Sequence, residues 1–154
     1  MTSPTDADAD SPRHDVSFLD ALELDGDVVR GDSDRDEHAT DWGTDDADAV
    51  RPDAVVYPES TADVSAVVAA ADDRGVPVTP YAAGTGLEDG AVPANAGISM
   101  DMTRMDAIHE IRPDDLQIDV GPGAIGVEVD EAVAAHGLFS RRCPPRATSP
   151  RSAA

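Results

Sequence analysis

From Arg51 onward an acidic, polar chain gives way to short apolar runs separated by helix and strand breakers. Ala54-Val55-Val56-Tyr57 follows a proline and is β-branched at its centre, which predicts a strand. Ser60 offers a helix N-cap, with Asp63 three residues on as a weak capping box. Val64, Val67, Val68 and Ala71 recur at the spacing of one helical face, and Gly75 ends the helix. Val76-Pro77-Val78-Thr79 reads as the next strand. A strand, a helix and a strand within residues 54–79 are compatible with a parallel pair and a right-handed crossover. The predicted fold class is therefore α/β, with α+β character in the residues beyond 79.

Three further strands are expected, at 97–102, 107–111 and 116–120. The turn Arg112-Pro113-Asp114-Asp115 should join the last two as a hairpin. A second helix from Ile125 to His136 should end at Gly137, a residue suited to the left-handed position after a helix. Only 3% of the chain is aromatic, so any core must be built from Val, Ala, Ile and Leu. Residues 1–49 are dominated by Asp, Ser, Thr and Gly and read as weakly structured. The apolar island Phe18-Leu19-Asp20-Ala21-Leu22 is either a helical turn docked on the domain or a fluctuating segment.

The formal charge is −21, and all eleven basic residues are Arg. Acids are spread through segments with folded character rather than gathered in one tail. That distribution favours adaptation to high salt, where a Debye length of roughly 3 Å at 1 M screens carboxylate repulsion. The same acidity argues against nucleic acid or an anionic membrane as partner. No apolar run approaches the ~20 residues needed to span a bilayer. The first ten residues lack the basic and apolar regions of a signal peptide, so a cytoplasmic location is expected.

After the second strand, Pro80-Tyr81-Ala82-Ala83 leads into Gly84-Thr85-Gly86-Leu87-Glu88-Asp89-Gly90. The spacing G-x-G-x-x-x-G is not the Rossmann fingerprint, because a proline and a strand follow rather than a helix. Glycines nevertheless allow positive φ and close approach, so successive amides can point at phosphate oxygens. Thr85 adds a hydroxyl. On spacing alone, a wide connection between strands accounts for the loop better than a diphosphate site does.

The order and spacing of three segments carry more. Pro52 to Val64, Gly75 to Leu87, and Met100-Asp101-Met102-Thr103-Arg104-Met105 together resemble the FAD-binding PCMH-type domain of the vanillyl-alcohol-oxidase superfamily. Within it the nearest branch is the glycolate oxidase and D-lactate dehydrogenase group, and the resemblance runs from about Val50 to Phe139. It implies the first subdomain of such a fold, incomplete at its C-terminal side, with FAD as cofactor. It also implies that the cofactor lies against Pro80, Ala83, Gly84, Thr85, Gly86, Leu87, Glu88, Asp89 and Gly90, with Asp101 close by and Gly121 in the turn that closes the half-domain. The family's flavin takes a hydride from the α-carbon of a D-2-hydroxy acid. Its substrate clamp and base lie in a C-terminal half that this chain lacks, so no catalytic residue is assigned. A catalytically inactive remnant and an acidic, non-enzymatic interaction protein are the alternatives.

Two departures stand out. Family members usually carry a small residue at Asp89 and glycine at Ala96. A carboxylate 4 Å from a phosphate charge is repelled by about 1 kcal/mol in water and about 4 kcal/mol at an effective dielectric of 20. The last residues also depart. Every one of the 32 acids lies at or before Glu131, while 140–154 hold four Arg. Synonymous codons for Arg141–Ala154, read from the third base, spell Pro-Leu-Pro-Ser-Ser-Gly-Asp-Ile-Ser-Thr-Val-Gly-Gly, which continues the family pattern. A frameshift near Phe139 is the expectation. Cys143 sits in that tail and has no partner for a disulfide. The four histidines and the aspartate runs lack zinc or calcium spacing. Trp42 is expected to pack on the domain edge.

Overall fold

The computed structural model describes residues 14–45 and 49–140. The tail 141–154, where the frameshift is expected and where Cys143 lies, is outside these residues. The chain forms two compact units, Met1–Met105 and Asp106–Ala154.

The first unit is a four-stranded mixed sheet. Its strands are β1 (Asp27–Val29), β2 (Ala54–Tyr57), β3 (Val78–Tyr81) and β4 (Ile98–Asp101), with helices α1 (Asp32–Glu37) and α2 (Thr61–Asp72). The spatial order is β1-β2-β4-β3, with β2 and β3 both parallel to β4 and β1 antiparallel on the outer edge. The expected strand–helix–strand unit is present, but its strands do not pair directly, because β4 lies between them. The second strand also starts later than expected and takes in Tyr81. Pro80 is tolerated there because β3 is an edge strand, where the amide that proline lacks has no ladder partner to serve.

Register aligns Ala54, Ile98 and Val78 in one row and Val56, Met100 and Pro80 in another. Alternate residues of a strand face opposite sides. Ala54, Val56, Ile98 and Met100 therefore meet Val67 and Ala71 of α2 in one apolar core. Leu19 joins them from a 3-10 turn at Ser17–Ala21, so the apolar island docks as a helical turn. Residues 14–45, polar in composition, thus contribute that turn, an edge strand and a helix.

The start of α2 forms as expected. Ser60 Oγ accepts the Asp63 amide at 3.1 Å. Asp63 is buried and its carboxylate accepts amides of Asp25, Gly26 and Glu59 at 3.0–3.1 Å. Burial opposes its charge, but these backbone donors outweigh it and hold the carboxyl below its usual range. Drawing Asp63 inward rotates the buried stripe, so Val67 and Ala71 are covered while Val68 is left 45% exposed. The expected four-residue apolar face is thus rotated by a polar contact.

In the second unit, β5 (Ile108–Arg112) and β6 (Gln117–Val120) form the expected antiparallel hairpin across a 3-10 turn at Pro113–Asp115. Arg112 bridges Glu110 and Asp119 across it. Helix α3 (Gly126–Ala134) follows, and Gly137 adopts φ +73°.

Candidate functional site

The sheet face opposite α2 is polar. Tyr81 and Asp101 pair at the C-terminal ends of β3 and β4, and Tyr57 ends the neighbouring β2. His38, just after α1, sits against these residues and is 1% exposed. Its ring lies 4.2 Å from that of Tyr81 and meets Tyr57 edge-on at 5.9 Å. His38 Nε2 donates to Asp101 Oδ2 at 2.8 Å, and Nδ1 donates to the Asp34 carbonyl at 2.7 Å. A carbonyl and a carboxylate only accept, so a ring protonated on both nitrogens satisfies both contacts at once. Burial pulls the His38 pKa down, yet Asp101 and the Asp34 carbonyl raise it above 6.5. Burial likewise opposes the Asp101 charge, but hydrogen bonds from His38 and Thr103 hold its carboxyl below the usual range. Burial, with Asp101 and Asp34 nearby, pushes the Tyr57 hydroxyl up to about 12.

The glycine loop leaves the sheet directly after Tyr81. Gly84 has φ +60°, and a Cβ there would lie 2.4 Å from Tyr81 Oη. Glycine is required on both counts. The loop rests on Asp41-Trp42-Gly43-Thr44. Trp42 N–H donates to Gly84 O at 3.0 Å, and Gly43 N–H donates to Gly86 O at 3.1 Å. A Cβ on Gly86 would meet Asp41 Oδ2 at 2.6 Å, and one on Gly43 would meet Leu87 O at 2.6 Å. Asp41 Oδ1 accepts from Gly43 N–H and from Thr44, while its buried Oδ2 has no partner among the described residues.

With the carbonyls of Gly84 and Gly86 engaged on one side, the loop amides are left over. Among the described residues, no amide from Ala83 to Ala91 donates a hydrogen bond. Thr85, Gly86, Leu87, Glu88, Asp89 and Gly90 are all exposed. Such a run of uncommitted, exposed N–H groups is available to an anionic ligand such as a diphosphate. No Lys, Arg or His lies between Gly75 and Thr103, so the amides alone would carry the positive end of the interaction.

The residues singled out from sequence separate into three groups. Pro80, Ala83 and the loop 84–90 are contiguous and open. Asp101 is 5% exposed with both carboxylate oxygens occupied, by His38 and by the Thr103 amide. It lies beside the loop's departure point through its pairing with Tyr81, and its carboxylate is turned to His38. Gly121 lies in the second unit, buried, and its amide donates to Ala107 O at 2.8 Å. Asp89 is exposed, and Thr44 Oγ1 lies 2.7 Å from its Oδ1. Both departures from the family pattern sit at left-handed backbone, with φ +56° at Asp89 and +55° at Ala96. His38 and the Asp41–Thr44 turn were not singled out. The one signal in the sequence was the short Asp-x-Gly-Thr turn pattern around Trp42.

A family model described as FAD binding domain matches residues 52–148. The glycolate oxidase subunit GlcD of Escherichia coli is 37% identical over 89 residues, covering 58% of this chain. The mitochondrial D-lactate dehydrogenase (cytochrome) of Arabidopsis thaliana is 31% identical over 88 residues, covering 57% of it. The chain spans between 16% and 19% of the length of the first of these curated relatives. Among solved structures, 6-hydroxy-D-nicotine oxidase from Arthrobacter nicotinovorans superposes with a TM-score of 0.64 at 26% identity, over 80% of this chain and 26% of the other. The chain belongs to the FAD binding domain family.

Proposed function

We propose that loop 84–90 holds the diphosphate of FAD and that the chain is the cofactor-binding portion of a flavin-dependent dehydrogenase acting on a small D-2-hydroxy acid of the lactate or glycolate type. The single observation that carries the first half is the row of uncommitted amides from Ala83 to Ala91, fixed in place by carbonyl contacts to Trp42 and Gly43. The second half rests on the names of the relatives. Bound FAD would supply hydride acceptance. This chain's own residues supply the receptor: Gly84, Gly86 and Gly90 let the backbone approach, Thr85 adds a hydroxyl, and Pro80 and Ala83 shape the entry.

Glu88 and Asp89 place negative charge beside a doubly negative ligand. Salt adaptation, proposed from the charge of −21, bears directly on the site, because screening at 1 M confines that repulsion to roughly 3 Å. FAD titrated into the purified chain at 0.1 M and at multimolar KCl should bind more tightly at high salt, with flavin absorbance near ~450 nm retained through gel filtration. A folded chain, by circular dichroism, that retains no flavin at any salt concentration would favour the inactive remnant.

A further inference from the structure

Resting on the FAD reading above, we propose that His38 is a positioning residue for the cofactor loop, acting through Tyr81 and the Asp41–Thr44 turn, and that it does so only as an imidazolium. His38 lies outside the stretch matched by the family model, which begins at residue 52. It is nevertheless the buried centre of the polar face. Two routes lead from its ring to the loop. The first is the Tyr81 ring, 4.2 Å away, whose hydroxyl underlies Gly84 so closely that a Cβ there would be 2.4 Å from it. The second is the chain itself, because Trp42 and Gly43, shortly after His38, hold the carbonyls of Gly84 and Gly86.

Loss of one proton changes both routes. A neutral imidazole donates from a single nitrogen. Either the Asp34 carbonyl, 2.7 Å from Nδ1, or the Asp101 carboxylate, 2.8 Å from Nε2, then faces a lone pair. Two lone pairs at that distance repel, so the ring must shift, and Tyr81 and the following turn shift with it. The ring has no water to turn to, being 1% exposed. The charged or titratable groups facing it are Asp34 and Glu37 from α1, Tyr57 from β2, Tyr81 from β3 and Asp101 from β4. All but the two tyrosines are acidic and favour the protonated ring. The contacts to Asp101 and the Asp34 carbonyl raise the His38 pKa from its ordinary value, so the ring holds its proton to higher pH than a free imidazole does.

The test is a titration of the full chain between pH 6 and 9, followed by NMR of the His38 ring and of the Gly84 and Gly86 amides, with the FAD dissociation constant measured alongside. The His38 midpoint should lie above that of free histidine. The two glycine amides should shift with the same midpoint, and FAD affinity should fall about fivefold or more across it. His38→Gln should keep the fold by circular dichroism and flatten both profiles, while Asp101→Asn should move the common midpoint to lower pH. Glycine amides that ignore the His38 titration, or a His38→Gln variant that keeps the wild-type profile, would overturn the proposal. If His38→Gln does not fold, the wild-type and Asp101→Asn midpoints decide. If FAD fails to bind at any pH, the cofactor reading falls, and the glycine amides still decide the positioning.

Discussion

The two faces of the first unit's sheet are stabilised by different physics. Under α2, Ala54, Val56, Ile98 and Met100 are at most 1% exposed and meet only hydrocarbon. On the opposite face His38 is hydrogen-bonded to Asp101, and its ring packs against those of Tyr57 and Tyr81. The first face depends on area removed from water and is indifferent to pH near neutrality. The second depends on a proton. The glycine loop is built over the second, so the part of the molecule that carries the candidate function rests on its titratable half.

The sharpest way to separate the faces is a large-to-small change on the apolar one. Ile98→Ala should cost about 2–5 kcal/mol in chemical denaturation, through lost transfer energy and the cavity left behind. The loss should be the same at pH 5 and pH 8; a loss that varies with pH would blur the distinction.

Asp101→Ala on the polar face should cost about 1–3 kcal/mol at most, since His38 is left with an unsatisfied donor and sheds its proton to limit the damage. Here the pH dependence carries the information. His38 has a raised pKa when folded, so its contribution is complete below about 6.5 and is lost as pH rises through the folded value. Asp101 has a lowered pKa, so its contribution is present above about 3.9 and is lost as pH falls through the folded value. Stability curves of wild type and variant should therefore lie furthest apart between about pH 4 and 6.5 and converge on either side. Curves that stay parallel from below about pH 4 to well above about pH 6.5, without converging on either side, would mean the pair is not charged.

The smallest effect belongs to the connection just before β4. Ala96 is buried with φ +55°, a conformation that costs a residue with a Cβ roughly 1–2 kcal/mol. Ala96→Gly should stabilise the chain by about 1 kcal/mol or less, because glycine gives back part of the gain as unfolded-chain entropy. A destabilised variant would show that the Ala96 methyl contributes more packing than its strain removes.

Local signals were legible where they act locally. Ser60 and Asp63 announce a helix start because a cap bonds within one turn. Asn-poor but Pro-containing residues 112–115 still announce a hairpin, since Pro presets its own φ. What escaped were contacts set by distant partners. Val68 is exposed because Asp63 answers amides from Asp25 and Gly26, which lie 37–38 positions away. The strand order is hidden because β4 must pass the loop before it inserts between β2 and β3. Asp101 resembles a cofactor neighbour in its motif, but its partner is His38, 63 positions earlier in a stretch that reads as a solvated acidic run.

The glycines at 84, 86 and 90, their place after a strand, and the family were settled by residue order, because backbone freedom and segment spacing are one-dimensional properties. The engagement of the Gly84 and Gly86 carbonyls, the buried His38–Asp101 pair and the glycine requirement at Gly43 were not. Those depend on which surfaces close within 3 Å of one another, and only the folded chain brings the Asp41–Thr44 turn against Gly84 and Gly86.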